Sequence, residues 1–160
     1  MIESKEILDK VSEEQEKLED QGVIRKMLLI MKRIQDTPVT DWELHSLADH
    51  VFALCKFMDN LSDLKEYAYI KAEALEEEHK SKVREEYLAL KESGEKITDG
   101  LAKAQAEQKC DKVKQEELIA IHQARRLRDL YDNCSRLVNF TQSKMKTYDD
   151  SRVRSNIPHN

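Results

Sequence analysis

Few residues in this 160-residue chain are spaced for chemistry. Glu76-Glu77-Glu78-His79 holds one Glu-x-x-His pair, a unit that di-iron helical bundles use twice, with two more inward glutamates. No second pair exists, so the stretch reads as a solvated charged face. Asp41, His45 and Asp49 recur every four residues and would share one helical face, where they could hold a divalent ion weakly. Such spacing arises often by chance, and an ordinary helix surface is the simpler reading. His50 and His122 read as interior or border histidines. The chain has neither a G-x-x-x-x-G-K-[ST] nor a G-x-G-x-x-G phosphate cradle, and its three glycines build no nucleophile elbow. Catalysis needs a concave site with a positioned acid or base. The expectation is a non-enzymatic protein with no cofactor and no metal.

Charge carries more information than the search for catalysis. The net value is -5, but residues 1–20 hold eight acids against three bases, whereas residues 121–160 hold eight bases against four acids. The basic set comprises Arg125, Arg126, Arg128, Arg136, Lys144, Lys146, Arg152 and Arg154. Guanidinium binds phosphate or carboxylate as a fork, so the basic end could attract a polyanion. The competing reading is a solvated face, because Arg125 with Asp129, Arg128 with Asp132, and Asp132 with Arg136 stand four apart and could pair along a helix.

The elements that must carry these groups are helices. Three Gly and two Pro residues cannot supply the turns of a hairpin-rich β protein. No apolar run approaches the length of a membrane span. Three cysteines (Cys55, Cys110, Cys134), none in a C-x-x-C pair, describe no disulfide framework and no zinc site, so a reducing, cytoplasmic setting is expected.

The breakers divide the chain into N-terminal helices within 1–36, a long helix over 40–93, a loop at 94–100, a second long helix over 101–150 and a tail at 151–160. Pro38 stops one helix and Thr40 caps the next, with Glu43 placed for a capping box. Leu44, Leu47, Val51, Leu54, Met58 and Leu61 alternate in steps of three and four, interrupted at Lys65 and resumed by Ala68 and Ala72. Phe52 and Phe57 widen this stripe, which thins to Val83, Tyr87 and Leu90. In the second long helix Ile121, Ala124, Tyr131, Val138, Thr141, Met145 and Tyr148 form the matching stripe, broadened by Leu127, Leu130, Leu137 and Phe140. Val23, Ile24, Met27, Leu28, Met31 and Ile34 give a short helix at about 22–36, and Ile7, Val11 and Leu18 a thinner stripe before it. The predicted fold is all-α, a long antiparallel two-helix hairpin with short N-terminal helices packed at its base.

Lys82-Val83-Arg84-Glu85-Glu86-Tyr87 has the form K-x-R-x-[DE]-Y, and Leu130-Tyr131-Asp132-Asn133-Cys134-Ser135 is followed by Gln142-Ser143-Lys144. With the acidic lead-in and long last helix, residues 65–154 resemble the UvsY family of phage recombination mediator proteins. The resemblance implies a homo-oligomer that binds single-stranded DNA and helps load a RecA-like recombinase onto strands coated by single-strand-binding protein. It implies DNA contact by Lys82 and Arg84. The expected nucleic-acid set is then Lys82, Arg84, Arg125, Arg126, Arg128, Lys144, Lys146, Arg152 and Arg154, with no membrane partner. The alternatives are a phage-type helical adaptor or inhibitor, gripping a protein through its acidic N-terminal helix or charged arm, and a coiled-coil scaffold.

Overall fold

The structure is a computed structural model that describes Glu13 and residues 22–38, 41–93 and 97–155, with the backbone alone for 148–155. The described residues are all-α. Four helices follow in order: α1 (Gly22–Asp36), α2 (Leu44–Glu92), α3 (Asp99–Lys109) and α4 (Asp111–Ser155). The long helices α2 and α4 pack antiparallel, with α1 and α3 alongside. The chain divides into two compact units, residues 1–17 with 64–127 and residues 18–63 with 128–160, so α2 and α4 each contribute to both. The expected helix around Ile7, Val11 and Leu18 and the expected Thr40 cap lie outside the described residues.

In the unit formed by residues 18–63 and 128–160, large apolar side chains do the packing. The stripe on α1 buries Ile24, Met27, Met31 and Ile34, one contact per helical turn. The seam on α2 buries Leu47, Val51, Leu54 and Leu61, and α4 buries Leu130, Cys134, Val138 and Thr141. Thr141 is fully enclosed, and its hydroxyl donates to the Leu137 carbonyl at 2.8 Å, so no polar atom is orphaned there. The α1–α2 joint follows from Pro38. Thr37 closes α1 by donating both its N–H and its Oγ1 to the Arg33 carbonyl, while Trp42 Nε1 donates to the Thr37 carbonyl at 3.0 Å. The Trp42 ring meets Phe140 edge-on, 6.4 Å between centroids.

Two aromatic expectations need correcting. Phe52 is 63% exposed and Phe140 is 49% exposed. Phe52 follows a seam residue and so turns about 100° from the buried line; Lys56 Nζ covers its ring at 4.6 Å instead.

The unit containing residues 64–127 is built on small residues. Its buried positions are Ala68 and Ala72 on α2, Ala102 and Ala106 on α3, Cys110, and Ala120, Ala124 and Leu127 on α4, with Gln115 among them. Such side chains let helix backbones approach closely and leave the chemistry to residues flanking the seam. The second long helix departs from expectation in three ways. It begins at Asp99, inside the expected loop; it runs through Ser155; and it breaks at Cys110 into α3 and α4. Cys110 has φ -94° and ψ 8°, outside the helical well. Its N–H is shared between the carbonyls of Ala106 and Glu107, and the next turn resumes as Lys114 N–H reaches the Cys110 carbonyl. The sequence gives no Gly or Pro to announce that interruption.

Two stability changes follow. Leu54, wholly buried in its seam, should lose about 2–5 kcal/mol on Leu54→Ala through lost transfer energy plus a cavity. Gly100 lies in the first turn of α3, where an added Cβ meets nothing within 4 Å. Gly100→Ala should therefore raise stability by about 0.5–1 kcal/mol. Urea unfolding of the two variants against the parent checks both signs.

Candidate nucleic-acid interface

Within the unit containing residues 64–127, the antiparallel register is fixed by cross-helix contacts. Lys109 Nζ meets Glu86 Oε2 at 2.8 Å, His79 Nδ1 meets Glu117 Oε2 at 2.7 Å, and Lys91 pairs with Asp99. As the α2 number falls, the partner number rises. The Lys91 ion pair and a long 3.5 Å contact from Tyr87 Oη hold the Asp99 carboxyl below the usual carboxylate range.

His79 corrects the reading of its segment. Glu77 and Glu78 are exposed as expected, but His79 and Glu117 face each other with side chains 16% and 15% exposed. One hydrogen bond joins the His79 ring to the Glu117 carboxyl. His79 Nε2 is buried without a hydrogen-bond partner. The Glu-x-x-His stretch is thus a polar pair set in the seam.

The motif stretch splits by helical geometry. Residues two apart diverge by about 200°, and Lys82 and Arg84 leave α2 on opposite sides of the seam. Lys82 Nζ is bound by Glu78 Oε1 at 2.5 Å, which raises the lysine above its ordinary pKa. Arg84 lines a groove of about 410 Å³ together with His79, Lys80, Val83 and Tyr87 on α2, Lys103 and Glu107 on α3, and Lys114 on α4. Four of those eight residues are formal cations and one is an acid. Glu76 and Glu77 occupy Lys80 at 2.8 and 3.0 Å. Among the described residues Arg84, Lys103 and Lys114 have no ion pair within 4.0 Å.

Position on the helices explains this accumulation. Lys80 and Arg84 each follow a seam residue (His79, Val83), and Lys103, Glu107 and Lys114 likewise follow Ala102, Ala106 and Val113. In antiparallel pairs such flanking positions face their equivalents, and opposite charges there normally set the pairing. The Glu86–Lys109 flank obeys that rule. The Arg84 flank sets Lys80 and Arg84 against Lys103 and Lys114, with Glu107 the one acid among them. Lys80, Lys103, Lys114 and Tyr87 were absent from the sequence-derived set because their common groove depends on this register.

The remaining expected residues are dispersed. By the same register Arg125 and Arg126 fall opposite residues near 71, about 20 Å along the helix from Arg84. Arg125 is exposed, while Arg126 is half-buried and already engaged. Arg128, Lys144 and Lys146 belong to the other unit. Arg128 Nε approaches Asp129 Oδ1 at 3.7 Å, and Lys144 Nζ lies 5.6 Å over the Phe140 ring. Lys146 is exposed; Arg152 and Arg154 lie on the last turns of α4, with side chains outside the described set. The expected i,i+4 pairs of Arg125, Asp132 and Arg136 are not closed among the described residues.

The remaining chemistry is quiet. Asp41 precedes α2 in a short 3₁₀ turn, so it does not share a helical face with His45 and Asp49. Among the described residues no group of three His, Cys, Asp or Glu side chains could hold a metal ion. His50 donates from Nδ1 to the Ser46 carbonyl, and His122 is exposed rather than interior. Burial pushes the Cys134 thiol up to about 11 and raises that of Cys110. No helix of the described residues is long and apolar enough to cross a membrane. No protein-family model, curated protein or solved structure matches the chain.

The seam pair gives a direct energetic test. Glu117→Ala leaves the His79 ring with both nitrogens unpaired and should cost about 1–3 kcal/mol. Replacing both residues by Leu makes the seam apolar and should restore or exceed the parent stability. Urea unfolding of the single and double variants measures the difference.

Proposed function

We propose that this protein is a non-enzymatic, self-associating recombination mediator that binds single-stranded DNA. In this reading it helps a RecA-like recombinase assemble on strands coated by single-strand-binding protein. The observation that carries the DNA-binding part is the cation-rich flank of the α2/α3–α4 seam, where Arg84, Lys103 and Lys114 line one groove without ion-pair partners among the described residues. Cations held side by side repel one another, and a phosphate chain removes that repulsion while releasing its own counterions. Arg84 comes from the K-x-R-x-[DE]-Y stretch that resembles the mediator family, and the role of recombinase loading rests on that resemblance.

A single groove presents few phosphate contacts, so one chain would grip weakly. Several copies acting on one strand gain by effective concentration rather than by new contacts. Tyr67 and Ile70, three apart on α2 and 69% and 65% exposed, are the surface this reading assigns to contact between copies.

Fluorescence anisotropy with a labelled oligonucleotide tests the proposal. Binding at micromolar protein in low salt is expected, with log affinity falling linearly in log salt concentration. Light scattering should give a mass that is a multiple of the 18.7 kDa chain. A monomer that ignores the oligonucleotide in low salt overturns the reading.

A further inference from the structure

We infer that the groove between α2 and α3–α4 is a single-nucleotide subsite, taking a phosphate between Arg84 and Lys114 and the attached base against Tyr87 and Val83. The inference rests on the DNA-binding reading and adds to it the chemical unit recognised and the residues that divide the work. The groove measures about 410 Å³, within the range of small-ligand pockets and roomy enough for one nucleotide. Its lining is of two kinds. Arg84 and the two lysines supply positive charge from three helices, and Val83 and Tyr87 supply an apolar and aromatic surface one turn apart on α2. A ligand satisfying both must be anionic at one end and flat and apolar at the other.

Tyr87 is held in place for that role. Its hydroxyl contacts Asp99 Oδ1 at 3.5 Å, and Lys91 Nζ lies 5.9 Å from the ring centroid while pairing with Asp99. An aromatic ring positioned beforehand loses little freedom when a base stacks on it. Every base has a π-face, so such a platform tolerates any sequence but requires the base to be unpaired. Glu107 is the one acid in the lining; it stands one turn from Lys103 and about two turns from Lys114, so its repulsion of phosphate favours the Arg84–Lys114 end.

The same chemistry could come from a strand or from a free mononucleotide, and the test separates them. The full-length protein is titrated by anisotropy with a labelled twenty-nucleotide strand, an abasic strand of equal length, and a free mononucleotide as competitor. Tyr87→Ala should weaken the intact strand about fivefold to a hundredfold and leave the abasic strand within about twofold, whereas Tyr87→Phe, which keeps the ring and loses only its hydroxyl contact, should retain most of the binding. The variant Lys114→Ala should lower the salt slope by up to about 0.7 on both strands, the one phosphate contact of the subsite. These side chains are half-buried or exposed, and circular dichroism verifies that the variants keep their helix content. If the parent binds the strand while all these variants match it, the subsite is wrong and the DNA-binding reading stands. Equal loss on intact and abasic strands for Tyr87→Ala also overturns the stacking assignment. A free mononucleotide that binds as tightly as the strand reassigns the groove to a soluble nucleotide. A parent that binds none of the three probes removes both proposals.

Discussion

The seam between α2 and its antiparallel partner is the constraint from which the other features follow. In the unit containing residues 64–127 that seam is lined by Ala68, Ala72, Ala102, Ala106, Ala120 and Ala124. Alanine buries little area, so each contact adds far less than a leucine would at about 25 cal/mol per Å². What small residues give is proximity. Backbones drawn close bring the flanking side chains of the two helices within reach of one another, and the flanks then decide whether the pairing is favourable. On one flank Glu86 and Lys109 meet at 2.8 Å. On the other, Arg84 and Lys80 share a groove with Lys103 and Lys114. The contrast lies within one pair of helices, so it is not an effect of overall composition.

The His79–Glu117 pair belongs to the same logic. A polar pair in a mostly apolar seam fixes register at some cost in stability. Shifting one helix by a turn would separate the imidazole from its carboxylate and leave both poorly solvated. The pair therefore helps hold the alignment that brings Arg84, Lys103 and Lys114 to one groove, which His79 itself lines. Its Nδ1 bond, with Nε2 left unpartnered, shows that this alignment is kept although the ring is only half satisfied.

Much of the fold was legible because its signal is periodic. The steps of three and four through Leu47, Val51, Leu54 and Leu61 named buried residues correctly, as did Ile24, Met27, Met31 and Ile34 on α1. Pro38 marked the joint. The interruption at Cys110 was not legible, since no breaker stands there and the departure is confined to one residue in a polar stretch. Phe52 was misplaced because hydrophobicity alone was weighed, and its angle from the seam decides its exposure. The groove was hidden for a different reason. Lys80 and Arg84 lie about twenty residues from Lys103 and more from Lys114, and only the cross-helix register tells which of many surface lysines meet. Periodicity finds the line of a seam from one helix, but pairing across it needs both.

Charge count alone would have ranked the C-terminal stretch of α4 above the Arg84 segment as a polyanion site. The geometry shows how the cations of each stretch are engaged. Arg126 is engaged, Arg128 leans toward Asp129 and Lys144 covers Phe140, so several of these cations already have partners. The Arg84 segment looks worse in sequence, with Glu78, Glu85 and Glu86 around it. Those acids, however, are directed elsewhere: Glu78 to Lys82, Glu85 to the Ser81 hydroxyl and Glu86 to Lys109. With Glu78 and Glu86 each bound to a lysine, neither is a partner for Arg84. A segment with little net charge can therefore present a strong local field, because a helix sorts its charges by angle before a ligand encounters them.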